Sequence, residues 1–179
     1  MKWGARIFGV LAGILLLYLL VGLLLPGTWT ATEEAVLPAP PSAVYPFLNR
    51  ISAWEAWTPF PETGLEVFGP PDGVGAGVRW DDPRYGKGEA RIVEVRQDTA
   101  VGYEVLIEGG ALTIRGSLTL ISEGDGSRVR WTENGDFGWN PLMGYAARGM
   151  ASSQGEAMKS SLVRLAAAVA RRKPDPTAP

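Results

Sequence analysis

Within Ser127–Phe137 the residues of one parity are Val129, Trp131, Glu133 and Phe137, while Arg128, Arg130 and Thr132 hold the other. A strand with that alternation turns the first set inward and the second to water. Glu133 is then a carboxylate in an apolar row. Desolvation raises the pKa of such a group and suits it to bind or protonate a polar group of a ligand. The alternative is a strand that ends or bulges near Asn134-Gly135, leaving Glu133 solvated or paired with a nearby arginine. In Val101–Glu108 the matching row is Val101, Tyr103, Val105 and Ile107, apolar except for the phenol. Tyr103 and Trp80 can stack on a flat ligand or hydrogen-bond to it, or can be core aromatics whose polar tips find a partner. Met143, Met150 and Met158 recur along the C-terminal segment, where thioethers suit an adaptable pocket or plain core filling. The expected ligand pocket is Trp80, Tyr103, Val105, Ile107, Trp131, Glu133, Met143 and Met150. Trp139 can fill or line the same space, whereas Trp54 and Trp57 are expected to pack short helices against a sheet.

Most other site chemistry is excluded by composition. The 179 residues contain no His and no Cys, which removes Ser-His and Cys-His nucleophiles, thiol redox and Cys/His zinc or haem sites. Acid–base work would fall to Glu133, Glu104, Tyr103 or an Asp. With 17 basic and 19 acidic residues the chain lacks the clustered positive charge that nucleic acid requires. Asp72 and Asp81-Asp82-Pro83 do not supply several oxygens from one tight loop, as hard cations need. Gly73-Val74-Gly75-Ala76-Gly77 precedes a strand rather than a helix, so it reads as a turn and not as a phosphate cradle. No catalytic residue, metal or cofactor is assigned.

The elements that must position these residues follow from period and punctuation. Thr28–Leu37 is a strand. Pro40-Pro41-Ser42 opens a short helix over Ser42–Leu48, and a second runs from Ile51 to Trp57. Strands follow at Leu65–Phe68, Val78–Asp81, Gly88–Arg96, Val101–Glu108, Leu112–Ser122 and Ser127–Phe137. The 23 Gly and 14 Pro fall mostly between them, and the short breaks predict antiparallel hairpins. A long helix spans Pro141–Arg171. The fold class is α+β: a curved antiparallel sheet of six to seven strands wrapped around the final helix, two short helices plugging one end, and a cavity between sheet and helix.

Ahead of all this, Ile7–Leu25 holds 19 residues without a charge. As a helix it spans about 28 Å, close to the ~30 Å hydrocarbon core of a bilayer. Lys2 and Arg6 precede it and the next basic residue is Arg50. The positive-inside bias then places the N-terminus in the cytoplasm and the remainder outside, as a single-pass membrane protein. A cleaved signal peptide is the alternative, although its apolar region is usually shorter and PGTWTATEEA is a poor cleavage site. The expected division is an anchor over 1–27, a domain over 28–172 and a disordered tail over 173–179.

Ala39-Pro40-Pro41-Ser42-Ala43-Val44-Tyr45 followed by Trp54-Glu55-Ala56-Trp57-Thr58-Pro59 resembles the opening of START-related, polyketide cyclase/dehydrase-like domains, the SRPBCC superfamily. Gly88–Glu94 with Tyr103-Glu104-Val105 resembles that group's paired central strands. Ser127-Arg128-Val129-Arg130-Trp131 is similar to its T-x-V-x-W strand, and Met158–Leu165 to its closing L-x-x-L helix. The resemblance covers residues 28–172 and implies a Bet v 1-like helix-grip fold. It carries no shared catalytic set, and fold alone does not assign function. Three functions stay open: a tethered domain binding a hydrophobic small molecule or lipid, an enzyme of cyclase, dehydratase or hydrolase type using Glu133 or Tyr103, and a non-catalytic cell-envelope interaction protein.

Overall fold

The computed structural model describes residues 2–138 and 140–172; Trp139 and the tail expected over 173–179 lie outside them. Helix α1 (Lys2–Leu24) leads within three residues into β1 (Thr28–Leu37). Helix α2 (Pro41–Asn49) and a 3-10 turn (Ile51–Ala56) follow. Then come β2 (Glu66–Phe68), β3 (Gly77–Asp82), β4 (Gly86–Arg96), β5 (Ala100–Ile107), β6 (Leu112–Glu123), β7 (Gly126–Asp136) and the long helix α3 (Met143–Arg171). The strands form one antiparallel sheet in the order β1-β7-β6-β5-β4-β3-β2. Successive hairpins build it from β2 to β7, and β1 closes it against β7. This is the expected α+β helix-grip architecture.

Local chemistry explains the departures from the expected bounds. The second short helix is of 3-10 type and ends before Trp57, as Pro59 approaches. α3 starts at Met143 rather than Pro141 because the Asn140 side chain accepts the Leu142 N–H at 2.9 Å, forming a turn ahead of the helix. β5 ends at Ile107, where Glu108 and Gly109 take positive φ to turn the chain.

α3 lies against one sheet face and runs from the α1 end of the sheet to the end plugged by α2. Gly144 meets Leu25 at its start, and Arg172 lies over the Phe47 ring at its finish. At the plugged end Leu37, Val44, Leu48, Ile51, Val101, Leu118, Leu162 and Leu165 are fully buried. The opposite sheet face carries ion pairs, as the alternation predicts, with Val36 and Ile121 exposed among them: Glu34 pairs with Arg130 at 2.5 Å and Arg128 at 3.3 Å, and Arg128 with Glu123 at 2.8 Å. Within α1, Arg6–Leu24 is long and apolar enough to cross a membrane and is almost wholly unburied.

Candidate ligand cavity

Between sheet and α3 lies a cavity of about 430 Å³. The strand register orders its walls. Tyr103, Gly116, Glu133 and Ala31 stand in one cross-strand row. Two residues nearer the α1 end, Ala90, Val105, Ile114 and Gly135 form the next inward-facing row. Trp80, Gly88 and Ile107 form the outermost. Along β7 the alternation continues without a bulge through Gly135, so Glu133 faces inward and is 5% exposed. The solvated or arginine-paired alternative is thereby overturned.

Glu133 is the floor of this space. The Tyr103 hydroxyl donates to its Oε1, and Gln154 Nε2 donates to its Oε2 at 2.6 Å. Trp131 Nε1 in turn donates to the Tyr103 oxygen at 2.7 Å. Burial raises the Glu133 pKa from its ordinary value, opposed by the hydrogen bonds from Tyr103 and Gln154. Burial, reinforced by the neighbouring carboxylate, raises that of Tyr103 well above the ordinary phenol. The phenol therefore remains a proton donor. An ionised carboxylate has about four acceptor sites, of which these donors occupy two.

Glycines let the aromatic walls lie flat on the sheet. Tyr103 covers Gly116 on β6 and Trp80 covers Gly88 on β4, each ring so close that a side-chain carbon on the glycine would run into it. Trp80 Nε1 is buried and has no partner among the described residues. Trp54 meets Tyr103 edge-on with ring centroids 4.8 Å apart, while Trp57 meets Trp131 in the same manner at 5.4 Å.

Six of the eight residues expected in the pocket line the cavity: Trp80, Tyr103, Val105, Ile107, Trp131 and Glu133. Met143 and Met150 do not; they sit too near the start of α3, and Met158, two turns beyond Met150, is the methionine in the wall. Trp54 has both roles, since its Nε1 donates to Leu48 O at 3.0 Å and its ring lines the cavity. Trp57 is structural, its Nε1 donating to Phe47 O at 3.1 Å. Reasoning from the sequence missed several wall residues, among them Val78, Tyr85, Ala90, Ile114 and Ser161, the polar Gln154, and a loop. Gln154 lies one turn before Met158, so an i, i+4 reading of α3 would have found it. The loop Thr58–Pro61, another wall, carries no periodic signal. It is held by Asp82, which accepts from Thr63 Oγ1 at 2.9 Å and from the Glu62 and Thr63 amides at 3.2 Å. The Arg84 amide donates to the same carboxylate, and these bonds lower its pKa to about 2. Asp82 is thus a loop clamp.

Comparison with known proteins places this geometry. No curated protein matches the chain. Norcoclaurine synthase from Thalictrum flavum, solved in complex with dopamine and hydroxybenzaldehyde, superposes with a TM-score of 0.61 at 14% identity over 82% of this chain and 88% of that one. A Thermobifida fusca protein solved by NMR gives 0.61 at 22% identity, covering 79% and 93%. Ara h 8.0201 gives 0.55 at 16% identity, covering 81% and 99%. At such identities the likeness speaks to fold alone. A sequence-family profile described as polyketide cyclase / dehydrase and lipid transport matches residues 28–170, nearly all of the sheet and α3. The chain belongs to that family, within the SRPBCC superfamily of helix-grip domains.

Proposed function

We propose that this protein is a membrane-tethered binding domain that holds one compact hydrophobic molecule bearing a hydrogen-bond donor. The observation that carries the reading is an apolar, aromatic-walled cavity whose floor is a buried carboxylate with acceptor capacity to spare. Its volume lies near the lower end of the ~300–1,000 Å³ usual for small-molecule sites, which suits a single ring system or short chain. A ligand hydroxyl or ammonium satisfies Glu133, whereas a ligand carboxylate meets like charge in a low-dielectric site. Residues 28–172 form the binding domain and residues 1–27 the tether, with the N-terminus cytoplasmic. The basic residues ahead of α1 and its apolar length support that topology.

The test uses the full chain in detergent micelles. Organic extraction and mass spectrometry should recover a copurified hydrophobic compound. Thermal shift should respond to 2-naphthol and not to 2-naphthoate. An empty protein that responds to neither probe, nor to a lipid panel, sinks the binding reading. A mature N-terminus near Ala31 or Thr32, found by N-terminal sequencing, sinks the tether.

A second reading, an enzyme acting on a hydrophobic substrate, is favoured by one feature: the hydrogen-bonded Tyr103–Glu133 pair at the cavity floor, with a raised carboxyl pKa suited to proton transfer. Glu133→Gln should abolish turnover of any substrate found, and unchanged turnover removes that assignment.

A further inference from the structure

α1 is joined to the domain by more than the chain. Tyr18, in its last two turns, stacks on Tyr145 of α3 with ring centroids 4.3 Å apart and planes 2° from parallel. The Tyr145 hydroxyl donates to the Tyr18 carbonyl at 2.8 Å. Gly22 packs on the Pro141 carbonyl, and Gly144 on Leu25 and the Gly22 carbonyl; no larger residue fits at either position without displacing the other helix. Close backbone approach through small residues is how helices associate within lipid. At the connection itself, the Phe137 amide donates to the Gly27 carbonyl at 3.1 Å, pinning the start of β1 to the end of β7.

These contacts fix a depth. Tyr18 lies six residues before the end of α1, about 9 Å along its axis at ~1.5 Å per residue. If α1 fills the hydrocarbon core, the Tyr145 ring that stacks on Tyr18 reaches that depth, within the ~5–10 Å typical of interfacial helices, while the Pro141 carbonyl on Gly22 lies about 3 Å inside the boundary. Leu142, 49% exposed and next to Pro141 at the boundary, offers an apolar side chain to lipid. The same joint fixes an orientation. Thr28 of β1 pairs with Asp136, which pairs with Thr113 of β6, so the strand ends nearest α1 are those carrying Ile107, Ile114 and Trp80. Of the cavity residues that solvent reaches, Tyr85, Ile107 and Ile114 stand there, and Thr58, Pro59, Phe60, Gln154 and Ala157 border the side between the loop and α3; the buried floor of Tyr103, Trp131 and Glu133 stands away from that end.

We propose that α1 and the start of α3 form a rigid, partly embedded helix joint that presents the cavity's half-exposed end to the bilayer surface. A hydrophobic molecule then passes between membrane and cavity with little exposure to water. The proposal rests on the tether proposed above and deepens it, since a flexible tether would leave the opening free to face any direction.

The chain has no cysteine, so single labelling sites are clean. Spin labels at Leu142→Cys and at Ile121→Cys, an exposed site toward the plugged end, are compared in the full chain reconstituted in phosphatidylcholine vesicles. The Leu142 label should collide preferentially with oxygen, and the Ile121 label with a water-soluble nickel chelate. A pair at Leu17→Cys and Arg148→Cys should give a narrow distance distribution that Gly144→Leu broadens severalfold. A water-exposed Leu142 label, or a broad distribution in the parent, overturns the joint. Intact mass separates the two failures: loss of α1 overturns the tether, whereas retained α1 with an aqueous Leu142 overturns the joint alone.

Discussion

The two ends of one sheet–helix sandwich differ sharply, although the same strands and the same helix build both. At the plugged end, Val101, Leu118, Leu120 and Val129 on the strands meet Leu162, Leu165 and Val169 on α3, and α2 adds Val44 and Leu48. Large aliphatic groups from three directions leave no room. At the α1 end the strands still offer Val105, Ile107 and Ile114, but α3 answers mostly with the small Ala147, Ala151 and Ala157, beside Gln154 and Met158. The helix there keeps close to β1, where Gly155 lies against Glu33, and small side chains leave space over the rest of the sheet. The cavity is therefore set by where α3 runs over the sheet together with the side-chain volume that helix, strands and loop place there.

The largest expected effect tests that contrast directly. Leu118→Ala or Leu162→Ala should cost about 2–5 kcal/mol, the usual toll of a large-to-small change in a closed core. Ile107→Ala, beside existing space, should cost about 1 kcal/mol, mostly strand propensity. Denaturant unfolding of the full chain in micelles decides, and equal costs at both ends would erase the distinction. Gly116→Ala comes next: the new methyl displaces the Tyr103 ring and should cost about 1–3 kcal/mol, as overpacking does. Near-UV circular dichroism should change with it, and an unaltered spectrum would mean that Tyr103 does not lie on β6.

Ala157→Phe fills the cavity from the helix side. It should change stability by less than about 1 kcal/mol, since space awaits the ring, while weakening 2-naphthol binding severalfold. Retained binding would place the ligand elsewhere.

Two smaller effects, seen in the pH dependence of melting temperature, have opposite signs. Glu133 has a folded pKa above its unfolded value, so its contribution is fully present below the unfolded pKa and declines as pH rises through the folded one. Glu133→Gln should abolish that decline and gain relative stability toward neutral pH; an unchanged profile would mean that Glu133 is solvated. Asp82 is the reverse case. Its pKa of about 2 makes its contribution present above the ordinary carboxylate range and lost as pH falls toward that value. Asp82→Asn should flatten the acid limb alone, and a flattened neutral limb would contradict the loop-clamp role.

Much of this fold was legible because its signals are local. Thr28–Leu37 and the hairpin order followed from alternation and glycine breaks, and both depend only on neighbouring residues. Glu133 was legible for the same reason, as one charge in an apolar parity set. What lay beyond the sequence involved contacts between distant segments. Gln154 reaches Glu133 across 21 positions and Tyr103 reaches it across 30. Met143 and Met150 looked equivalent to Met158 because composition marks a helix face but not how far along the partner sheet that face falls. Whether the space between sheet and helix stayed open depended on volumes added from several elements at once.

The sequence by itself determined the strands and helices, the inward carboxylate, the apolar N-terminal segment and the exclusion of histidine and cysteine chemistry, because composition and periodicity act residue by residue. Only the tertiary structure decided that the Glu133 carboxylate is met by a phenol and an amide instead of an arginine, that the cavity lies at the α1 end, and that α1 docks on α3 through two glycines. Register and helix placement join residues far apart in the chain, and no local pattern encodes where they meet.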